Sequence, residues 1–154
     1  MPQLVKGGKH AFAWSVVNKE GRILIPLDAF KEYQFTDGDK AIVMSGSKTS
    51  GGFGLTTAQL LMGSPISGVL DNCPALAQYR ISEGEAVTFN TRVYTWVTVS
   101  SQSIKLPFNT LQKYSIRIGD RLLSVRGSNL ALGFIVRGPI VKEARKHPEL
   151  KIFK

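Results

Sequence analysis

Residues 21–39 read GRILIPLDAFKEYQFTDGD, and residues 103–120 read SIKLPFNTLQKYSIRIGD. At a spacing of 81 positions, Arg22–Gly54 and Ser103–Ile135 align without a gap, and nine of the 33 positions are identical. The identities are Ile23/Ile104, Pro26/Pro107, Tyr33/Tyr114, Gly38/Gly119, Asp39/Asp120, Gly46/Gly127, Ser47/Ser128, Gly52/Gly133 and Phe53/Phe134. Other pairs keep their character, such as Ile25/Leu106, Phe30/Leu111, Phe35/Ile116 and Lys40/Arg121. Chance at common residue frequencies would give about two identities, so the chain carries one unit twice.

Each copy has the same physical grammar. A β-rich segment opens it, Trp14–Val17 in the first copy and Arg92–Val99 in the second, where VYTWVTV has the β-branched and aromatic content of a half-buried strand. A polar turn follows (Asn18–Gly21, Ser100–Ser103), then a short strand, Arg22–Ile25 or Ile104–Leu106. A proline closes that strand, because it cannot donate to a ladder. Asp28 and Asn109 stand where a helix N-cap is expected. The short helix brings Phe30 and Tyr33, or Leu111 and Tyr114, onto one buried face. Asp37-Gly38-Asp39 and Ile118-Gly119-Asp120 then provide turn chemistry that launches Lys40–Met44 or Arg121–Val125. Both of these strands end in Gly-Ser, and a last strand runs through Phe53 or Phe134.

Gly21-Arg22-Ile23-Leu24-Ile25-Pro26 followed by Gly38-Asp39 resembles the AbrB/SpoVT/MazE class of DNA-binding proteins, over about Ser15–Leu55 closely and Val97–Val136 more loosely. The resemblance implies a fold that is mainly β with short helices, a swapped-hairpin pseudo-dimeric β-barrel made from the two internal repeats. Family members usually obtain the two copies from two chains, whereas one chain here holds both. The expected organisation is a first repeat at 13–55, an inserted segment with short helices at 56–91, a second repeat at 92–137 and a basic helix and tail at 138–154.

The resemblance also implies a transcriptional regulator that contacts double-stranded DNA through basic residues of the first turn and the short helix. By position, Arg22 matches the motif arginine, Lys31 falls where the family has a basic helix residue, and Lys19 lies on the preceding turn. Phe30 replaces a second helix arginine of many members, Ser103 replaces the motif arginine in the second copy, and the turn beside it lacks glycine. Lys105 and Lys113 keep positive charge nearby, away from the matching positions. DNA contact is therefore expected mainly from the first repeat. The alternative is a non-catalytic module that binds a small molecule or a protein and has lost DNA recognition.

Charge placement agrees with a polyanionic partner. The net charge is +9, distributed as +2 over residues 1–60, −2 over 61–91 and +9 over 92–154. Such a basic third attracts nucleic acid through counterion release. No Ser-His-Asp, Cys-His, paired-carboxylate or metal-ligand constellation is evident, so binding without catalysis, cofactor or metal is expected. Cys73 reads as a small core residue, since no histidine is placed to activate it. MPQLVKGGKHAFAW has no apolar run of signal-peptide length, and no stretch approaches the ~18 apolar residues of a membrane helix. A cytoplasmic protein with no membrane partner is expected, its state open between monomer and homodimer.

The remaining segments are read locally. Thr56–Met62 and Pro74–Arg80 are expected as short helices, Gly63-Ser64-Pro65 and Ser82-Glu83-Gly84 as loops. Ser45–Gly54 (SGSKTSGGFG) lacks the G-x4-G-K-S/T order of a phosphate-binding loop and reads as a hairpin loop. Gly138-Pro139-Ile140 opens a helix to about Lys146, with Ile140, Val141 and Ala144 inward and Lys142, Arg145 and Lys146 outward.

Overall fold

The structure, a computed structural model, describes residues 10–61, 80–89, 91–127 and 131–154. The first copy builds β1 (Ala11–Val16), β2 (Arg22–Leu24), α1 (Leu27–Glu32), β3 (Lys40–Ser45) and β4 (Phe53–Thr57), followed by a one-turn helix α2 (Ala58–Leu61). After β5 (Val87–Phe89), the second copy repeats the order with β6 (Arg92–Thr98), β7 (Ser103–Lys105), α3 (Phe108–Lys113), β8 (Arg121–Arg126) and β9 (Leu132–Ile135). Helix α4 (Pro139–Ala144) and strand β10 (Ile152–Phe153) end the chain. Cys73, Gly63-Ser64-Pro65 and nearly all of the expected helix at 74–80 lie outside the described residues.

The two copies pair with each other more than with themselves. Strand β1 runs antiparallel to β8, with Trp14 opposite Leu123, and β6 runs antiparallel to β3, with Trp96 opposite Ile42. At the centre β4 pairs with β9, setting Phe53 opposite Phe134, and β2 pairs with β7, setting Ile23 opposite Ile104. The Gly-Asp pairs extend this exchange. Gly38 N–H donates to Val99 O (2.7 Å) and Val99 N–H to Asp39 O (2.8 Å); Gly119 and Asp120 do the same with Val17 (2.8 and 3.0 Å). Glycine suits the turn because φ is +94° at Gly38 and +89° at Gly119. The aspartates close the turn by accepting from Thr36 N–H and Arg117 N–H.

The fold is mainly β with short helices, and the expected closed barrel is corrected. The strands form an open mixed sheet in the order β10-β1-β8-β9-β4-β3-β6-β5, with β2-β7 as a separate ribbon. A sheet closes when its two edge strands find each other. Here the outer edge of β1 takes β10, running parallel, and the outer edge of β6 takes β5. Neither edge is left to meet the other.

Local expectations shift in four places. Asp28 and Asn109 are first-turn residues and not caps: the N-cap positions are Pro26 and Pro107, whose extended ψ (139° and 153°) leads straight into the helix without a side-chain cap bond. Asp28 still sits where the helix dipole favours negative charge. The second turn is a residue shorter than the first, and Ser103 belongs to β7. Thr56 and Thr57 extend β4, so the helix expected from Thr56 begins at Ala58. The C-terminal helix stops at Ala144, with Val141 and Ala144 buried and Lys142, Arg145 and Lys146 exposed. Helices α1 and α3 end in a shared motif: Gln34 (φ 57°) and Ser115 (φ 62°) turn left-handed, and the next amides, Phe35 and Ile116, donate to Phe30 O and Leu111 O at 3.0 Å.

Two apolar layers result. One face of the sheet packs against the β2-β7 ribbon and both short helices through Ile23, Ile104, Ala41, Val43, Phe53, Phe134, Leu122 and Tyr114. On the other face, Trp14, Leu123 and Val125 pack against Val141, Ala144 and Leu150 of the C-terminal segment. Strand β8 is buried along both sides because it lies between these layers, with Leu122 in the first and Leu123 and Val125 in the second. Burial pushes the Tyr114 hydroxyl far above the usual tyrosine range.

One ion pair ties the copies at the surface. Arg126 on β8 clasps Glu32 at the end of α1, with Arg126 Nε donating to Glu32 Oε2 at 2.8 Å. This bond from Arg126 holds the Glu32 carboxyl below its ordinary value of 4.5. A depressed carboxyl stabilises the fold above its unfolded value, and that contribution is lost as pH falls through the folded value. Glu32→Gln is therefore expected to flatten, modestly, the decline in melting temperature between about pH 5 and pH 3. An unchanged profile would mean the exposed pair contributes nothing.

Candidate nucleic-acid interface

The candidate surface is built on the β2-β7 ribbon. Ile23 and Ile104 turn into the core, so period-two alternation directs Arg22, Leu24, Ser103 and Lys105 the other way. Arg22 lies directly opposite Lys105. Its Nη1 reaches diagonally to donate to Ser103 Oγ at 2.8 Å, and Ser103 Oγ in turn donates to Ser100 O at 2.7 Å. The residue that replaces the motif arginine in the second copy thus anchors the arginine of the first.

The turns before the two strands differ in construction. Asn18 Oδ1 accepts from Glu20 N–H and Arg22 N–H, both at 2.9 Å, which organises the longer first turn. Gly21, at φ +80°, lies against the Leu106 carbonyl, where a Cβ has no room. In the second turn Gln102 takes the matching left-handed position at φ 59°. Its side-chain Nε2 donates to Ile25 O at 2.7 Å, and its backbone O accepts from Ile25 N–H at 2.8 Å. A glycine is not needed there because the glutamine side chain helps to hold the turn.

Three of the five sequence-selected residues come together. Lys105 faces Arg22 across the ribbon, and Lys19 and Lys105 line one open hollow with Leu106, Pro107, Phe108 and Asn109. Glu20 and Glu83 line the same hollow, so its charge is mixed. Glu83 Oε2 accepts from Thr98 N–H at 2.7 Å, which fixes the inserted loop beside the ribbon. Lys31 and Lys113 sit in the last turns of α1 and α3, both exposed. They are not equivalent positions: Lys113 matches Glu32, and Lys31 matches Gln112. Neither lysine is among the residues that line the hollow.

The hollow contains a residue that the sequence reading passed over. Phe108, at the start of α3, is 62% exposed, and its counterpart Leu27 at the start of α1 is 44% exposed. The signal was present: an apolar residue immediately after each matched proline, three positions before the inward-facing Phe30 or Leu111.

Comparison of the chain with protein-family models, with curated proteins and with solved structures gave no match. Among the described residues no helix is long and apolar enough to cross a membrane.

Proposed function

We propose that the chain is a double-stranded-DNA-binding regulator of the AbrB/SpoVT type, organised as a pseudo-dimer whose two repeats exchange hairpins. The exchange is supported by the crossed pairing of β1 with β8 and of β6 with β3. Arg22, Lys19 and Lys105 form the principal contact surface, with Lys31 and Lys113 as outlying charges. The observation that carries this reading is the ribbon itself: the motif strands of both copies lie side by side, with Arg22 opposite Lys105 on their outward face. A guanidinium anchored by Ser103 is oriented before it meets a phosphate or a base edge, while the lysines act as mobile point charges on phosphate.

The reading is tested by anisotropy titrations against a random-sequence duplex across a salt series. Log affinity should fall linearly with log salt, with a slope near −0.9 for each phosphate neutralised. Arg22→Ala and Lys105→Ala should each reduce that slope by about one contact. Absence of binding at low salt overturns the reading.

A second reading is favoured by Phe108: a module that binds a protein or small molecule at the hollow. An exposed aromatic ring beside Leu106 and Pro107 is an apolar contact that duplex phosphates do not use. A partner captured there would lose affinity on Phe108→Ser and would show little dependence on salt.

A further inference from the structure

On the face of the sheet opposite the ribbon, a cleft of about 470 Å³ opens across the middle strands. Its floor follows from register. Gly54 and Gly133 are partners in the β4-β9 pair; Met44 stands opposite Gly54 on β3 and Val125 opposite Gly133 on β8. The row therefore reads Met, Gly, Gly, Val across four strands. Two positions without side chains between two that have them leave a trough. Both glycines are hemmed in by these walls: a Cβ on Gly133 would stand 2.9 Å from Val125 Cγ2, and one on Gly54 would stand 3.4 Å from Met44 Cγ. Ile135 and Ile140 close one side.

The rim has the opposite chemistry. Arg92, at the start of β6, and Arg137, between β9 and α4, both line the cleft, together with the hydroxyl residues Ser45, Ser47, Thr49 and Ser50. Among the described residues no Asp or Glu lines it. Among the described residues neither arginine has a carboxylate partner. Arg137 is held in advance by the 46–52 loop. Its Nη2 donates to Lys48 O at 2.9 Å, and Val136 N–H and Arg137 N–H both donate to Ser50 O at 3.0 and 3.1 Å. Its guanidinium lies over Gly51, where a Cβ would come within 3.0 Å of Nη1, and φ there is +63°. Glycine is favoured at Gly51 by its left-handed backbone, and its missing side chain leaves room for the guanidinium above it. The glycine-serine loop, which lacks the order of a nucleotide-phosphate cradle, instead positions a cation at the mouth of an apolar trough.

We propose that this cleft binds a small organic oxyanion, a carboxylate or phosphate head on an apolar body of several carbons, with Arg137 and Arg92 on the head and Met44, Val125, Ile135 and Ile140 around the body. The volume falls within the ordinary range of small-molecule sites, roughly 300–1,000 Å³. Guanidinium groups suit planar oxyanions through paired N–H donors. An arginine held in place before binding loses little freedom when the ligand arrives.

The test uses the full chain without nucleic acid, so it stands apart from any reading of the ribbon face. Octanoate and octyl phosphate are the probes, with octan-1-ol and inorganic phosphate supplying each half alone, measured by calorimetry and thermal shift. At least one octyl anion should bind saturably and raise the melting temperature. Octanol and inorganic phosphate should bind at least about ten-fold more weakly. Arg92→Gln and Arg137→Gln should each weaken the octyl anion by roughly ten-fold, as loss of a charged hydrogen bond requires. Arg137→Gln also removes the bond to Lys48, so it is read beside Arg92→Gln: Arg92 is exposed and among the described residues makes no such side-chain bond, and its replacement keeps the fold. No saturable binding of either octyl anion, equal binding of octanol, or affinity unchanged in Arg92→Gln overturns the proposal.

Discussion

Phe134→Ala is expected to lower stability by about 3–5 kcal/mol. Phe134 is fully buried at the centre of the molecule, stacked on Phe53 with ring centroids 5.0 Å apart and planes at 24°. Phe53 is tilted on Tyr114 at 5.7 Å. The three rings come from β4, β9 and the C-cap of α3, so the cavity left by one of them is shared by both copies and cannot collapse without moving the β4-β9 register. Deletion of a core aromatic costs its transfer free energy plus the cavity, and the aromatic contacts add to it. Urea unfolding measures the effect as a lower midpoint at unchanged slope. Phe53→Ala should behave alike, and the double variant should fall short of the sum because the rings touch. A loss below about 1 kcal/mol would mean that the rings do not form one interior.

The second large effect is a contrast between two glycines. Gly52→Ala is expected to cost at least about 2 kcal/mol more than Gly119→Ala, because only the first combines left-handed strain with lost backbone bonds. Both residues have positive φ, +69° and +89°. A left-handed alanine costs about 1–2 kcal/mol, and that part is common to both. Around Gly119 a Cβ meets nothing within 4 Å. At Gly52 it falls on the Phe134 carbonyl oxygen, so backbone must move. That movement threatens the bonds from Gly52 N–H to Tyr114 O and from Gly46 N–H to Gly52 O, both 3.0 Å. Paired denaturation curves of the two variants decide it; equal losses would place Gly52 in open space. Its repeat counterpart Gly133 is crowded differently, by the Val125 side chain at 2.9 Å and without a positive φ.

Much of this was legible from the chain alone, for reasons specific to the residues. The spacing of 81 between Ile23 and Ile104, and between Phe53 and Phe134, is also the spacing of residues that pair across strands. The prolines marked strand ends, and the Gly-Asp pairs marked turns, because φ restriction and left-handed geometry are properties of single residues. Other features escaped. Asp28 and Asn109 have cap chemistry, but Pro26 and Pro107 already occupy the cap positions. Gln34 and Ser115 end their helices in a conformation usually given to glycine, because the following Phe35 and Ile116 are drawn into the core. Of the candidate surface, Arg22 was readable from its motif; its support from Ser103, and the absence of Lys31 and Lys113 from the hollow that Lys19 and Lys105 line, were not.

What the sequence by itself determined is the local vocabulary: two units of strand, turn, strand-proline, helix, Gly-Asp and strand, with an inward residue at every second or third position. Side-chain shape and backbone restriction act over a few residues, and they are written in the order of the chain. What only the tertiary structure decided is which edges meet. The parallel pairing of β10 with β1, the open sheet in place of a barrel, and the lining of one cleft by both Arg92 and Arg137 each join segments far apart in the chain. Those outcomes depend on competition among many unpaired edges and faces for the same partners, and no single segment carries the result.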